Sequence, residues 1–204
     1  MDERTTVAVL AKAPVAGEAK TRLIPALGAE GAAALAAKLT ERTVATAAKA
    51  ALGPIAIWAT PDVRHPLFAA LRGRFGATLA QQPDGDLGAR MLAAIGAADG
   101  PALVIGADCP TLSADHLHLA AATLRNYDVV LIPSDDGGYV LIGMRQPEPS
   151  LFEGIEWSTP TVMDETRQRL QAKPLAWREL PTLWDVDTPE DLERLRREGF
   201  EDLL

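Results

Sequence analysis

Thr5-Thr-Val-Ala-Val-Leu-Ala11 runs directly into Lys12-Ala-Pro-Val-Ala-Gly17-Glu-Ala-Lys20-Thr-Arg22-Leu23. The first stretch is a short β-type run without polar alternation, the pattern of a strand buried on both faces. The second is a loop with three cations in a chain that is acidic as a whole, and it precedes an Ala-rich helical stretch. Strand, cationic turn and helix open an α/β unit and predict an anion site. The turn offers backbone N–H groups and the positive end of a helix dipole, to which Lys20 and Arg22 add full charges.

The alternation continues outward from this unit. Ile55–Ala59, Ala77–Gln81, Ala102–Ala107 and Asp128–Pro133 read as further buried strands. Ala29–Ala51, Asp86–Ala98 and Ser113–Arg125 read as helices, the last with Leu117, Ala121 and Leu124 on one stripe. Such alternation predicts a mainly parallel sheet with crossover helices. After Pro133 the rhythm changes, because Asp135-Asp-Gly-Gly-Tyr139-Val-Leu-Ile-Gly-Met144 sets a glycine turn before a new apolar run, which predicts an added antiparallel strand. Ser158-Thr-Pro160 and Asp187-Thr-Pro189 both read as helix starts, a capping hydroxyl or carboxylate before a proline suited to the first turn. No repeat, linker or composition break divides the 204 residues, so a single domain is expected.

Composition excludes several classes. The chain is 48% hydrophobic and 24% charged, enough apolar surface for a core, and its net charge of −8 argues against a protein that grips a nucleic-acid backbone. Cys109 is the only cysteine, which forbids an internal disulfide and a multi-cysteine zinc site and fits a reducing, cytoplasmic setting. Met1-Asp-Glu-Arg-Thr-Thr lacks a secretory pattern, and no apolar run approaches the ~18 residues of a membrane span.

Ligands of open α/β sheets settle beyond the carboxyl ends of the strands, where three motifs fall. Lys12–Arg22 follows the first strand. It is not a Walker A loop, since Ala19 rather than glycine precedes Lys20. An ammonium and a guanidinium together suit a di- or triphosphate, although both residues also fit a solvated helix entrance. Asp108 ends the strand Ala102–Ala107 and is followed by Cys109-Pro110. A hard cation there needs a second carboxylate from a distant segment, and Asp187 is the candidate, with Asp185 a weaker one. Asp187 reads equally well as the cap of the last helix. Asp136, in the turn with Gly137 and Gly138, is either a hairpin residue or the group that orients or deprotonates an acceptor hydroxyl. Asp86 reads as a helix cap whose loop, from Gln82, also edges a base or ribose. His116 and His118 are two apart on a helix and form no joint metal site. Cys109 and Trp157 read as packing residues.

Taken in order, Ala11-Lys-Ala-Pro14, Gly17-Glu-Ala-Lys20-Thr-Arg22-Leu, Gly85-Asp-Leu-Gly88-Ala-Arg90-Met, Gly106-Ala-Asp108-Cys-Pro110, Asp136-Gly-Gly-Tyr139, Trp157-Ser-Thr159 and Asp185-Val-Asp187-Thr-Pro189-Glu-Asp span nearly the whole chain. This set resembles a bacterial family of glycosyltransferase-A-like proteins, some called radical-SAM/selenodomain-associated transferases. That family shares the nucleotide-diphospho-sugar transferase fold with the guanylyltransferases acting on phospholactate and on molybdopterin. The resemblance implies a Rossmann-like, three-layer α/β/α protein with a mixed, mainly parallel sheet. It implies a nucleotide at Lys12, Lys20, Arg22, Gln82, Asp86, Gly138 and Tyr139, and Mg²⁺ or Mn²⁺ at Asp108 and Asp187, with Asp136, Lys20 and Arg22 in the chemistry. Its expected partners are a nucleotide sugar or nucleoside triphosphate and a small acceptor. The first loop carries only Gly17, unlike the glycine-dense loops of sugar-nucleotide pyrophosphorylases, and this favours glycosyl transfer. Its Lys-Thr-Arg-Leu core and the Asp-Gly-Gly turn also resemble phospholactate guanylyltransferases, which keeps nucleotidyl transfer as the alternative, beside nucleotide binding without turnover.

Overall fold

A computed structural model describes residues 4–204; the reading of Met1–Glu3 lies outside the described residues. The first strand, β1 (Thr6–Lys12), is the centre of the sheet. It pairs in parallel with β2 (Ile55–Thr60) on one side and with β4 (Ala102–Gly106) on the other, while β3 (Thr78–Gln81) extends the sheet beyond β2. Strands β5 (Val129–Pro133), β6 (Tyr139–Met144) and β7 (Trp177–Glu179) complete the order 3-2-1-4-6-5-7. Six strands are parallel, and β6 runs antiparallel to both β4 and β5. The predicted antiparallel strand is therefore present, and it is wedged between two parallel ones.

Alternating side chains of β1 explain the layers. Val7, Val9 and Ala11 face one core with α1 (Ile24–Ala50), α2 (Pro66–Phe75) and α4 (Ala114–Thr123). Ala8 faces the other core, against Met91 of α3 (Leu87–Gly96) and Met163 of α5 (Val162–Gln171). A third apolar cluster joins Leu23, Ala32, Leu35 and Leu39 to Trp184, Val186 and to Leu192 and Leu195 of α6 (Pro189–Arg197). The result is the expected three-layer α/β/α architecture around a mainly parallel mixed sheet.

Several boundaries differ from expectation, each for a local reason. Gly28, at φ 72° and ψ 168°, kinks α1, so the regular helix follows it, close to the predicted start at Ala29. Helix α2 was not anticipated; His65 caps it by accepting from the N–H of Leu67, and Pro66 occupies its first turn. The helix predicted from Ser158 begins at Val162 instead, because Ser158 is left-handed at φ 64°. Strand β7 has three residues, too few to carry a pattern.

The segment Thr21–Ala50 is also long and apolar enough, at mean hydropathy 1.2, to cross a membrane by length and composition, contrary to the sequence reading. In the fold its Ala32, Leu35, Leu39, Val44 and Ala47 are buried between the sheet and the C-terminal helix.

Wedging β6 between neighbours leaves no room at its fifth residue. A Cβ on Gly143 would lie 2.6 Å from both Leu103 Cδ2 and Val130 Cγ1. Gly143→Ala is expected to lower stability by about 1–3 kcal/mol through overpacking, measured as a lower urea midpoint with an unchanged m-value.

Candidate active site

The chain leaves β1 toward β2 and β3, then crosses back to β4 on the opposite side of β1. The carboxyl ends of β1 and β4 therefore flank the topological switch point, where ligands of open α/β sheets bind. A cleft of about 300 Å³ lies there, lined by Lys12, Lys20 and Arg22 from the first loop, Ala36 and Thr40 from α1, and Asp108 and Asp187.

Lys20 is the centre of this cleft. Its backbone is left-handed, at φ 46°, an uncommon conformation for a residue with a side chain, and it turns the loop into the 3₁₀ turn Thr21–Leu23. Its side chain is only 8% exposed, and Nζ donates to Asp108 Oδ2 at 2.7 Å and to the Val186 carbonyl at 2.6 Å, with Asp187 Oδ1 at 3.7 Å. Burial works against this ammonium, but the carboxylates of Asp108, Asp187 and Asp185 outweigh it and hold its pKa above the ordinary lysine value. Arg22 stays largely exposed and pairs with the other oxygen of Asp187. Lys12 Nζ donates to the Glu18 carbonyl and closes the loop on itself. The cations and the acids, which the sequence offered as two halves of a site, thus meet in direct ion pairs.

Asp187 reaches the cleft because residues 180–187 run along the end of β5. Leu180 N–H donates to Leu131 O, Leu183 N–H to Pro133 O and Val186 N–H to Asp108 O. The N-terminus of α6 is capped at Thr188, not at Asp187. Asp191 Oδ2 accepts from the N–H groups of Asp187 and Thr188 and from the Thr188 hydroxyl. The carboxylate of Asp187 is thereby spared for the cleft. Cation–π contact of Arg194 with Trp184, at 4.3 Å, and its 2.5 Å pairing with Asp135 hold α6 against the same segment.

Asp135 and Asp136 therefore differ. Asp135 is tied to Arg194, whereas Asp136 is exposed and uses Oδ1 to accept from the N–H of Gly138, in a turn where Gly137 has φ 93°. Asp185 turns inward and accepts from Ser134 Oγ at 2.6 Å. Burial first, then the charges of Asp136 and Asp108, raise its pKa to about 6 against the relief given by Ser134 and Lys20. Among the described residues no three His, Cys, Asp or Glu side chains form a metal cluster.

The remaining candidates sit elsewhere. Gln82 is buried, donating to Trp58 O and Ala11 O and accepting from Arg90, so both ends of its amide are used within the protein. Asp86 caps α3 by accepting from the N–H of Ala89. His116 completes the cap of α4 with Ser113, and His118 Nε2 donates to Ala50 O. Cys109 is buried, which pushes its thiol pKa up. Trp157 stacks on Phe152 and meets Tyr139 edge-on. The sequence reading passed over Ser134 and quoted Arg90 only within the Gly85–Met91 motif, without a role of its own.

A family model described as "Uncharacterized protein conserved in bacteria (DUF2064)" matches residues 43–159. The chain belongs to that family. The matched region holds Asp108, Asp136 and Trp157, while the first loop and Asp187 flank it. Among solved structures, a Desulfovibrio desulfuricans G20 protein provisionally designated a nucleotide-diphospho-sugar transferase is 28% identical, with a TM-score of 0.87, covering 97% of this chain and 88% of its own. The 4-diphosphocytidyl-2C-methyl-D-erythritol synthase of Anaerococcus prevotii DSM 20548 shares the fold at 12% identity and TM-score 0.64, covering 96% and 98%. A CMP:2-keto-3-deoxy-manno-octonic acid synthetase complexed with CTP does so at 11% identity and TM-score 0.63, covering 98% and 100%. No curated protein matches the chain significantly in sequence. The chain has the fold of these neighbours, one provisionally designated a nucleotide-diphospho-sugar transferase and another solved with CTP.

The raised pKa of Asp185 has a definite sign. The folded state holds this proton more tightly than the unfolded chain, so stability falls as pH rises from about 4 to about 6, and ionised Asp185 is a constant penalty above that. Asp185→Asn keeps an acceptor for Ser134 and is expected to be more stable than the parent by about 1–3 kcal/mol near pH 7.5. Chemical denaturation across the pH range should show that advantage shrinking toward zero near pH 4.

Proposed function

We propose that this chain is a metal-dependent transferase that moves a glycosyl group from a nucleotide sugar to the hydroxyl of a small acceptor. The observation that carries this reading is the buried Lys20 ammonium between Asp108 and Asp187, at the base of a cleft whose other charged residues include Lys12 and Arg22. The cleft suits a diphosphate. Arg22 offers a planar fork for two phosphate oxygens, and Lys12 and Lys20 add point charges. Two carboxylates and a nearby backbone carbonyl are an all-oxygen set fitting Mg²⁺ or Mn²⁺, which commonly take one or two carboxylates together with substrate phosphates. Held by Asp108 and Asp187, such an ion would supply charge neutralisation at the leaving diphosphate.

The protein's own groups do the rest. Lys20 and Arg22 share the charge that develops as the diphosphate departs. Asp136, exposed beside the Gly137-Gly138 turn, orients the acceptor hydroxyl and takes its proton as the new bond forms. Membership of the radical-SAM/selenodomain-associated group and a cytoplasmic setting, in keeping with the free Cys109, belong to the same reading.

One feature favours a second reading. The run Lys20-Thr-Arg22-Leu23, with Asp136-Gly-Gly, resembles phospholactate guanylyltransferases, in which the same charges would stabilise pyrophosphate as a nucleotidyl group moves to an acidic metabolite. An assay separates the two. With Mg²⁺ and panels of nucleotide sugars and nucleoside triphosphates, release of nucleoside diphosphate from a nucleotide sugar is expected. Pyrophosphate from a triphosphate, with every nucleotide sugar inert, would replace glycosyl by nucleotidyl transfer, and binding without either product would remove catalysis.

Asp108→Ala should abolish the metal dependence of nucleotide binding in calorimetry. Arg22→Ala should weaken nucleoside diphosphate binding about tenfold, the size of one lost charge-assisted hydrogen bond, with thermal stability nearly unchanged.

A further inference from the structure

Three buried side-chain polar atoms have no hydrogen-bond partner among the described residues: Arg90 Nε, Tyr139 Oη and Trp157 Nε1. Buried polar groups are normally paired, and each orphan opposes folding, so three call for an explanation. Tyr139 and Trp157 are neighbours, and Arg90 lies on the helix against which Trp157 packs. The rings of Tyr139 and Trp157 meet edge to face at 6.4 Å. Two residues before Arg90, Gly88 has no side chain where the Trp157 ring sits; a Cβ there would lie 2.6 Å from Cζ2. Arg90 itself is held by Nη1 donating to Gln82 Oε1.

The chemistry of the three is uniform. Arginine Nε–H and indole Nε1–H only donate, and a phenol can. Tyr139 remains protonated, because burial pushes its hydroxyl pKa far up. With the guanidinium charge of Arg90 added, the group that would satisfy them is an oxyanion. Tyr139 opens β6 two residues after Gly137, so it stands at the carboxyl edge of the parallel strands. It packs with Trp157 against the α3 and α5 core, whereas the phosphate cleft is lined by α1. The two sites are therefore on opposite faces of the same sheet edge, with Asp136 in the turn leading into Tyr139.

We propose that Arg90, Tyr139 and Trp157 form an acceptor subsite that binds a carboxylate or phosphate group of the second substrate, making the acceptor an acidic metabolite. This rests on the transferase reading above. Arg90 is on a helix and Tyr139 on a strand, so Trp157, in the loop between Leu151 and α5, is the part that moves to admit the ligand. Gly154 and Ser158 are both left-handed, at φ 67° and φ 64°, and bracket it as pivots.

The indole N–H of Trp157 is the probe. The four tryptophans give four indole signals in a ¹H–¹⁵N spectrum of the full chain, and Trp157→Phe identifies the one to follow. Inorganic phosphate and acetate, titrated separately, should shift it saturably, and the anion giving the stronger response assigns phosphate or carboxylate. The response should persist in the Lys20→Ala/Arg22→Ala double variant and weaken at least about tenfold in Arg90→Gln and in Tyr139→Phe. No saturable shift with either anion, or a shift lost with Lys20 and Arg22 but kept without Arg90, would overturn the proposal. Tyr139→Phe also removes an unpaired hydroxyl, so its melting temperature should equal or exceed the parent's; a large fall would mean that the hydroxyl is paired within the protein and would equally overturn it. Nucleoside diphosphate binding on the same samples tests the phosphate cleft separately. An intact anion response without nucleotide binding removes the transferase reading and keeps the anion site, whereas nucleotide binding without the anion response removes the subsite alone.

Discussion

An ammonium taken out of water has to find negative charge, and Lys20 finds it in two places far apart in the chain. Asp108 stands at the end of a central strand and Asp187 at the mouth of the last helix, yet both come within reach of one nitrogen. The Val186 carbonyl takes a further proton of that ammonium. Next to this polar junction, Leu23 on one side and Trp184 and Val186 on the other are buried together. Charge pairing and apolar burial thus fasten the same two segments, the one supplying direction and the other most of the favourable free energy. Without the C-terminal segment, Lys20 would lose two of its three oxygen partners.

The antiparallel strand has a comparable organising effect. A parallel strand brings its carboxyl end to the ligand edge, but β6 brings its amino end. The turn with Asp136 and the ring of Tyr139 are consequently delivered to the same edge of the sheet as Asp108. Gly143 pays for that insertion by giving up a side chain where Leu103 and Val130 close in. The sheet acquires two chemically distinct flanks, one charged and lined by α1, the other aromatic and lined by α3 and α5.

Much of this was legible in the residues. Apolar runs of five or six without alternation marked the buried strands, although Ala77–Gln81, read in the same way, is the partly exposed edge strand β3, and the order of cationic loop, Asp108 and Asp136 followed from strand ends alone. Other features depended on tertiary partners that no local pattern announces. Asp187 could be read as a cap or a ligand, and only the reach of Asp191 to Thr188 removes the capping role. Gln82 was read as a nucleotide contact, but its amide spans β1 and β2, which requires knowing that those strands are neighbours. Arg90 was invisible as a site residue, because an unpaired atom is a property of packing. The start of α5 was misplaced by four residues, since Thr-Pro is a good helix signal only where the preceding residue is not left-handed.

The order in which the site's parts occur along the chain has a consequence for its assembly. Lys20 precedes Asp108 in the chain, and Asp108 precedes Val186 and Asp187. Until the segment that carries Val186 and Asp187 has been made, the lysine therefore remains a hydrated, solvent-facing cation, and the sheet can pair without it. Sealing of the ammonium follows the pairing of the central strands, so the cleft matures late in folding.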